Sequence, residues 1–253
     1  MTLGLPVATI FAFLLVLARV SGLVMFLPVP GFRNAPDMVR VILAVTISFA
    51  LFPVWPELPN ELPPISTLVI WAFAEASFGL AAGLAVAFLT EGFQLGAQVL
   101  GLQAGFGYAS TIDPNSQADS AILQVVTSLM TGLLFFSTGL DHDLIRILAA
   151  SFHNAPATGM DGAMQQSILK LGAAMFSTAL RVALPVTALL LLIDFALALL
   201  GRIQQQLQLL TLAFPAKMLA ALAILAALTP VIARLFIASG HRTIDALWHV
   251  AGR

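Results

Sequence analysis

The chain has 253 residues, 60% of them hydrophobic and only 9% charged, with eleven Lys+Arg against twelve Asp+Glu. An ordinary soluble domain is roughly a quarter charged, so a mean hydropathy of +0.99 leaves too little polar side chain to cover a water-soluble globule and points to a membrane protein. The near-neutral charge without a basic run excludes nucleic acid as a partner, and the absence of cysteine excludes disulfides, thiolate metal sites and a thiol nucleophile.

The first segment long enough to span is Leu5–Leu27, interrupted only by Arg19. It has no basic n-region and no small-residue cleavage site, so it reads as a retained helix. A turn-rich break, Pro28-Val-Pro-Gly-Phe-Arg-Asn-Ala-Pro36, separates it from the shorter Met38–Trp55. Pro53–Pro64 holds five prolines and two glutamates, which stops a helix from crossing it. Ile65–Gly101 is one long apolar-to-mixed stretch. Glu75, Gly79 and Gly83 recur in it every fourth residue and share one helix face, where small residues let another helix approach closely. Further along, Glu91, Gln94 and Gln98 make a polar stripe, read equally well as interhelical hydrogen bonding or as the lining of an aqueous lumen.

Gly101-Leu-Gln-Ala-Gly-Phe-Gly-Tyr-Ala-Ser-Thr-Ile-Asp-Pro-Asn-Ser116 follows, with three glycines in seven positions and then Asp113-Pro114, a pattern incompatible with a regular helix. Irregular backbone at membrane depth is tolerated only where protein or water surrounds it. Gly101, Gln103, Gly105, Phe106, Gly107, Tyr108, Ile112, Asp113 and Pro114 are therefore the candidate re-entrant or pore-occluding loop, with apolar Phe106 and Ile112 suited to keeping water out of a constriction. The glycines do not form a nucleotide loop, lacking its Lys-Ser/Thr ending.

Ala121–Leu140, Ile168–Leu200 and Leu209–Ser239 complete about six hydrophobic segments, and no repeat or linker divides the chain. The fold class is therefore all-α integral membrane protein, a single domain over residues 1–253, because helices satisfy their own backbone polar groups in a dry setting. Arg33, Arg40, Arg202, Lys217, Arg242 and Arg253 favour neither orientation under the positive-inside rule. Arg19, Glu75, Glu91, Arg181 and Asp194 lie within or near the ends of apolar segments and must face protein or water. Arg181 and Asp194 are about 220° and ~20 Å apart on one helix, with Pro185 between them as a predicted kink, so their partners lie on other elements. Two readings stand for Glu75 and Asp194: proton or ion handling in a secondary transporter, or anchoring of a polar assembly interface. Asp141-His142-Asp143 with His153 can be drawn as a metal cluster, but reads more simply as a solvated helix entrance. His241 and His249 read as interfacial, and no nucleophile–base constellation supports catalysis or a cofactor.

The glycine-rich run Gly101–Ser116 resembles the central signature of the FliR family, the flagellar type III export-gate proteins (SctT in virulence secretion systems). Four further stretches agree in order: the Pro28–Arg40 break, Ser151-Phe-His-Asn-Ala-Pro156, Leu184–Arg202 and Phe214-Pro215, the last placed where the family has a Gly-Phe-Pro turn. Two departures bear on that turn. Ile203-Gln-Gln-Gln206 replaces the Pro-Gln that commonly follows the arginine matching Arg202, and Ala213 replaces the glycine. The resemblance implies a non-enzymatic gate subunit in the bacterial inner membrane at the flagellar basal body. Its implied partners are FliP-, FliQ- and FlhB-like proteins, the unfolded proteins being exported and the lipid bilayer. It also implies tilted helical hairpins rather than upright spans, a Gly105–Tyr108 loop that helps close the passage, and interface or packing roles for Arg19, Glu75, Gly79, Gly83, Glu91, Gln94, Gln98, Arg181, Pro185, Asp194, Arg202, Phe214 and Pro215. Energy for export would come from an ATPase and the proton-motive force through other components. The same motifs occur in virulence systems.

Overall fold

The computed structural model describes residues 7–29, 36–58, 63–106, 122–154, 162–203 and 209–251. Among these residues there is no strand. The helices are α1 (Val7–Met25), α2 (Asp37–Ala50), α3 (Ile65–Ala104), α4 (Ile122–Ser137), α5 (Leu140–Asn154), α6 (Gly162–Ile203) and α7 (Leu209–Val250), with a 3-10 turn at Phe52–Val54 after α2.

Local chemistry sets the ends. Pro36 precedes α2, and Asp37 in its first turn complements the positive helix terminus. Pro53 then diverts the chain into the 3-10 turn, where the Trp55 indole Nε1 donates to the Ser48 carbonyl at 2.9 Å. Phe13 and Phe49 stack near Trp55 and tie the hairpin of α1 and α2 together. The helix expected over Ile65–Gly101 runs three residues further, because Gly101 is tolerated inside it and Gly105 is the terminator. Gly105 has φ 87°, its N–H donates to the Leu102 carbonyl at 3.2 Å, and the Phe106 N–H donates to the Gly101 carbonyl at 3.0 Å. Those two bonds are the Schellman pattern that satisfies the last carbonyls of a helix.

Among the described residues, four helices are long and apolar enough to span: α1, α3, Met164–Arg202 of α6 and Ala213–Val250 of α7. The α4–α5 pair, broken at Thr138–Gly139, makes a fifth if taken as one span. Each of the six expected hydrophobic segments appears as a helix, but Met38–Trp55 yields only the 14-residue α2. At 1.5 Å per residue that is about 21 Å, short of a hydrocarbon core of roughly 30 Å. α5 lies outside the predicted segments, since its Asp141, Asp143 and Arg146 conceal an apolar face of Leu144, Ile147 and Leu148 that is buried.

Two compact units form. One comprises residues 1–89, 135–172 and 239–253, and the other residues 90–134 and 173–238. In the first, Val16, Val20, Leu23, Phe78, Ala82, Val86, Leu144, Ile147 and Leu148 make the core. In the second, Phe93, Ala97, Leu100, Val182, Val186, Leu190 and Phe236 do, with the Phe93 and Phe236 rings 5.3 Å apart. Burial is uneven: half of the apolar window of α3 and 44% of that of α1 lie inside, against 22% in α6 and 17% in α7.

Candidate functional site

Two polar clusters stand inside otherwise apolar packing, one in each unit. The first is built on Arg19, which is fully buried on α1. Its Nε donates to Glu75 Oε2 on α3, and its Nη1 donates to Ser151 Oγ on α5 at 2.6 Å. The guanidinium carbon lies 4.5 Å from the ring centroids of both Phe78 and Phe152, so aromatic faces cover the charge. Ser151 Oγ in turn donates to the Leu148 carbonyl at 2.7 Å. A cation that is desolvated, paired and stacked in this way is held rather than exchanged, each desolvated cation–π contact contributing up to about 2 kcal/mol.

Glycines make that geometry possible. A Cβ at Gly79 would overlap the Arg19 backbone carbonyl, one at Gly83 would sit 2.9 Å from the Leu23 carbonyl oxygen, and one at Gly22 would sit 2.6 Å from the Leu80 nitrogen. The α1 and α3 backbones therefore touch, and Glu75, one turn before Gly79, faces Arg19. The residue spacing placed Glu75, Gly79 and Gly83 on one face; the identity of the facing helix comes from the fold.

The second cluster gathers at the C-terminal end of α3. Lys217 Nζ on α7 donates to Asp194 Oδ1 on α6 at 2.8 Å and to Oδ2 at 3.0 Å. Gln103 Nε2 donates to the same Oδ2 at 3.5 Å, a contact at the outer limit of a hydrogen bond. Two residues on, the Phe214 ring of α7 occupies the space 2.6 Å from where a Gly105 Cβ would stand. Gln103, Gly105, Asp194, Lys217 and Phe214 thus converge where the glycine-rich signature begins. Gly105→Ala meets both the positive φ and the Phe214 ring. The left-handed conformation alone costs an L-residue about 1–2 kcal/mol. We expect Gly105→Ala to lower the melting temperature in detergent, and Gly105→Ala with Phe214→Ala to recover only the steric part. Full recovery would mean that the conformation carries no cost.

Other predicted positions fall apart from these clusters. Gln94 is buried, Glu91 half-buried and Gln98 exposed, so the stripe winds from the interior to the surface. Arg181 is exposed and makes no ion pair among the described residues; Pro185 and Arg202 are exposed as well. The α6 assignment runs unbroken through Pro185. The expected turn at Phe214-Pro215 is corrected: both residues lie inside α7, which begins at Leu209. Ala213, unlike the glycine it replaces, has no tendency to break the helix there. Gly107, Tyr108, Ile112, Asp113 and Pro114 lie outside the described residues. In the Asp141–Asp143 stretch, Asp141 and Asp143 occupy the first turn of α5, and His142 Nδ1 lies 3.2 Å from Asp141 Oδ1. Among the described residues no group of three His, Asp or Glu is placed to hold a metal.

The sequence reading missed Lys217 as the partner of Asp194, and it missed Gly92 and Gly96. A Cβ at Gly92 would lie 3.0 Å from the Met175 carbonyl oxygen and one at Gly96 3.1 Å from that of Ala179, so α3 presses on α6 as it does on α1. Their spacing of four was the available signal.

The order of these elements and motifs has a counterpart among known proteins. Residues 10–241 match the sequence pattern of the family described as bacterial export proteins, family 1. The chain belongs to that family. It is 31% identical to the flagellar biosynthetic protein FliR of Escherichia coli K12 over 220 residues, 86% of this chain and 84% of that one. It is 30% identical to FliR of Bacillus subtilis 168 over 212 residues, 81% of each chain. A more distant FliR, of Aquifex aeolicus, is 23% identical over 216 residues. This family 1 export protein is thus an integral membrane component of flagellar export, and both polar clusters lie within the matched residues.

Proposed function

We propose that this export protein is a non-enzymatic subunit of a protein-conducting gate. It would assemble with FliP- and FliQ-like proteins beside an FlhB-like protein in the bacterial inner membrane, at the flagellar basal body, and pass unfolded flagellar proteins. The observation that carries the reading is the uneven burial. α6 and α7 are as apolar as α1, with window hydropathies of 2.4 and 2.2 against 2.3, yet the chain itself covers 22% and 17% of their windows against 44% of that of α1. Such faces in an export-family protein fit a subunit whose core is completed by other chains. The charged groups support the same reading over solute transport: Glu75 and Asp194 each face a basic side chain within the fold, an arrangement suited to anchoring.

Coexpression with FliP- and FliQ-like proteins, with a tag on this chain, tests the proposal. Mass analysis of the material purified in mild detergent is expected to give a defined hetero-oligomer. A chain that stays alone with those partners present, and that drives ion-coupled uptake in liposomes, would replace the gate reading with a transporter.

A further inference from the structure

Arg181 stands on α6 with exposed apolar side chains on both sides of it. Phe176 and Leu180 precede it at 58% and 57% exposure, and Leu184 and Leu192 follow at 58% and 63%. The Arg181 side chain is itself exposed and makes no hydrogen bond or ion pair among the described residues. Arg19 and Asp194, by contrast, each face an opposite charge inside the chain. The backbone beneath Arg181 is short of a partner as well. Pro185, one turn further on, has no N–H to give the Arg181 carbonyl, although α6 runs unbroken through it. Pro185 is exposed too. A cation and a carbonyl without its helical donor thus share one face.

Neither lipid nor water suits that face. Met164–Arg202 is 39 residues long, about 58 Å at 1.5 Å per residue and roughly twice the hydrocarbon core. Arg181 lies about 26 Å from its start and about 32 Å from its end, too far for the side chain to reach water beyond either. A bilayer boundary drawn at Arg181 instead would leave Phe176 and Leu180, or else Leu184 and Leu192, facing water. Only protein covers the charge and both apolar flanks together. Ala174 and Ser177 before Arg181 and Ala188 after it are exposed, at helical spacings that put them on its face. Small side chains there let the backbone of another helix come close.

We infer that this face takes an apolar helix of another chain, and that the helix carries an aspartate or glutamate paired with Arg181. That pairing rests on the gate reading, since one of the partner chains brings the carboxylate. The planar guanidinium fork matches a carboxylate through two parallel hydrogen bonds. Out of water, a pair of this kind tolerates no half: removing one group strands the other. The contact therefore selects a helix with a carboxylate at this level and rejects an otherwise similar apolar one.

The test uses the full chain, tagged, coexpressed with FliP- and FliQ-like proteins and purified in mild detergent. Arg181→Glu is expected to lower recovery of the hetero-oligomer by about tenfold or more, as when a buried interfacial charge pair is broken. The same variant should leave the melting temperature of the chain purified alone unchanged. Each Asp and Glu in the apolar helices of the two partners is then changed in turn to Arg. One of these reversals should restore assembly with Arg181→Glu and impair it with the wild-type chain. Assembly of Arg181→Glu at the wild-type level would mean that lipid or water faces the arginine. A loss that no reversal restores, or a lowered melting temperature of the chain alone, would mean that Arg181 acts in another way. Each of those outcomes overturns the inference and leaves the gate reading standing, whereas a wild-type chain that gathers no partner overturns both.

Discussion

Glu75→Leu is expected to lower stability by about 3–5 kcal/mol, because it leaves the fully buried Arg19 without its carboxylate. The cost comes from the stranded charge more than from the lost attraction. Arg19→Met combined with Glu75→Leu should therefore recover most of the loss, since apolar replacement of both partners of a buried pair is often close to neutral. Ser151→Ala removes one hydrogen bond to the guanidinium and should cost about 1.5–3 kcal/mol, less than the loss of Glu75. Thermal unfolding of the purified chain in detergent ranks the three variants. A double variant as unstable as Glu75→Leu would show that the polar contact itself, and not the avoidance of a buried charge, holds α1 to α3.

Gly79→Val should be comparably damaging, at about 3 kcal/mol or more, the upper end of overpacking costs. The new Cβ collides with the Arg19 backbone carbonyl. Backbone lies on both sides of the collision, so no side-chain rotamer relieves it and α1 must move as a body. Movement of α1 also carries Arg19 away from Glu75, which makes the two sites one coupled unit. Adding Glu75→Leu to Gly79→Val should then cost clearly less than Glu75→Leu alone, as expected for contacting residues. Gly83→Ala, with its nearest oxygen at 2.9 Å, should be milder. Simple additivity of Gly79→Val and Glu75→Leu in the same melting experiment would mean that α1 holds its place despite the collision.

How much of this was legible beforehand depends on the range of each interaction. The apolar segments were readable because each helix closes its own hydrogen bonds from nearby residues, and α1, α3, α6 and α7 appear close to where hydropathy places them. Helix ends were less readable. Gly101 and Gly105 look alike in sequence, but only Gly105 has the positive φ and the paired backbone bonds that stop α3. α5 escaped notice because three charges in its first half dilute an apolar face that only its neighbours reveal. Phe214-Pro215 was expected to turn only because the resembling family has a Gly-Phe-Pro turn there, yet α7 continues through it with Ala213 in the glycine's place.

The charges show the limit most sharply. Arg19 and Glu75 are 56 positions apart and Asp194 and Lys217 are 23 apart, so no helical spacing links either pair. What the sequence determined by itself was the class of protein: an all-helical membrane chain of the export family, whose intramembrane charges must find partners because hydrocarbon does not solvate them. Only the tertiary structure decided which partners they find. Pairing across helices is set by how closely backbones approach, and that distance was fixed by glycines at Gly22, Gly79 and Gly83 whose counterparts lie on another helix.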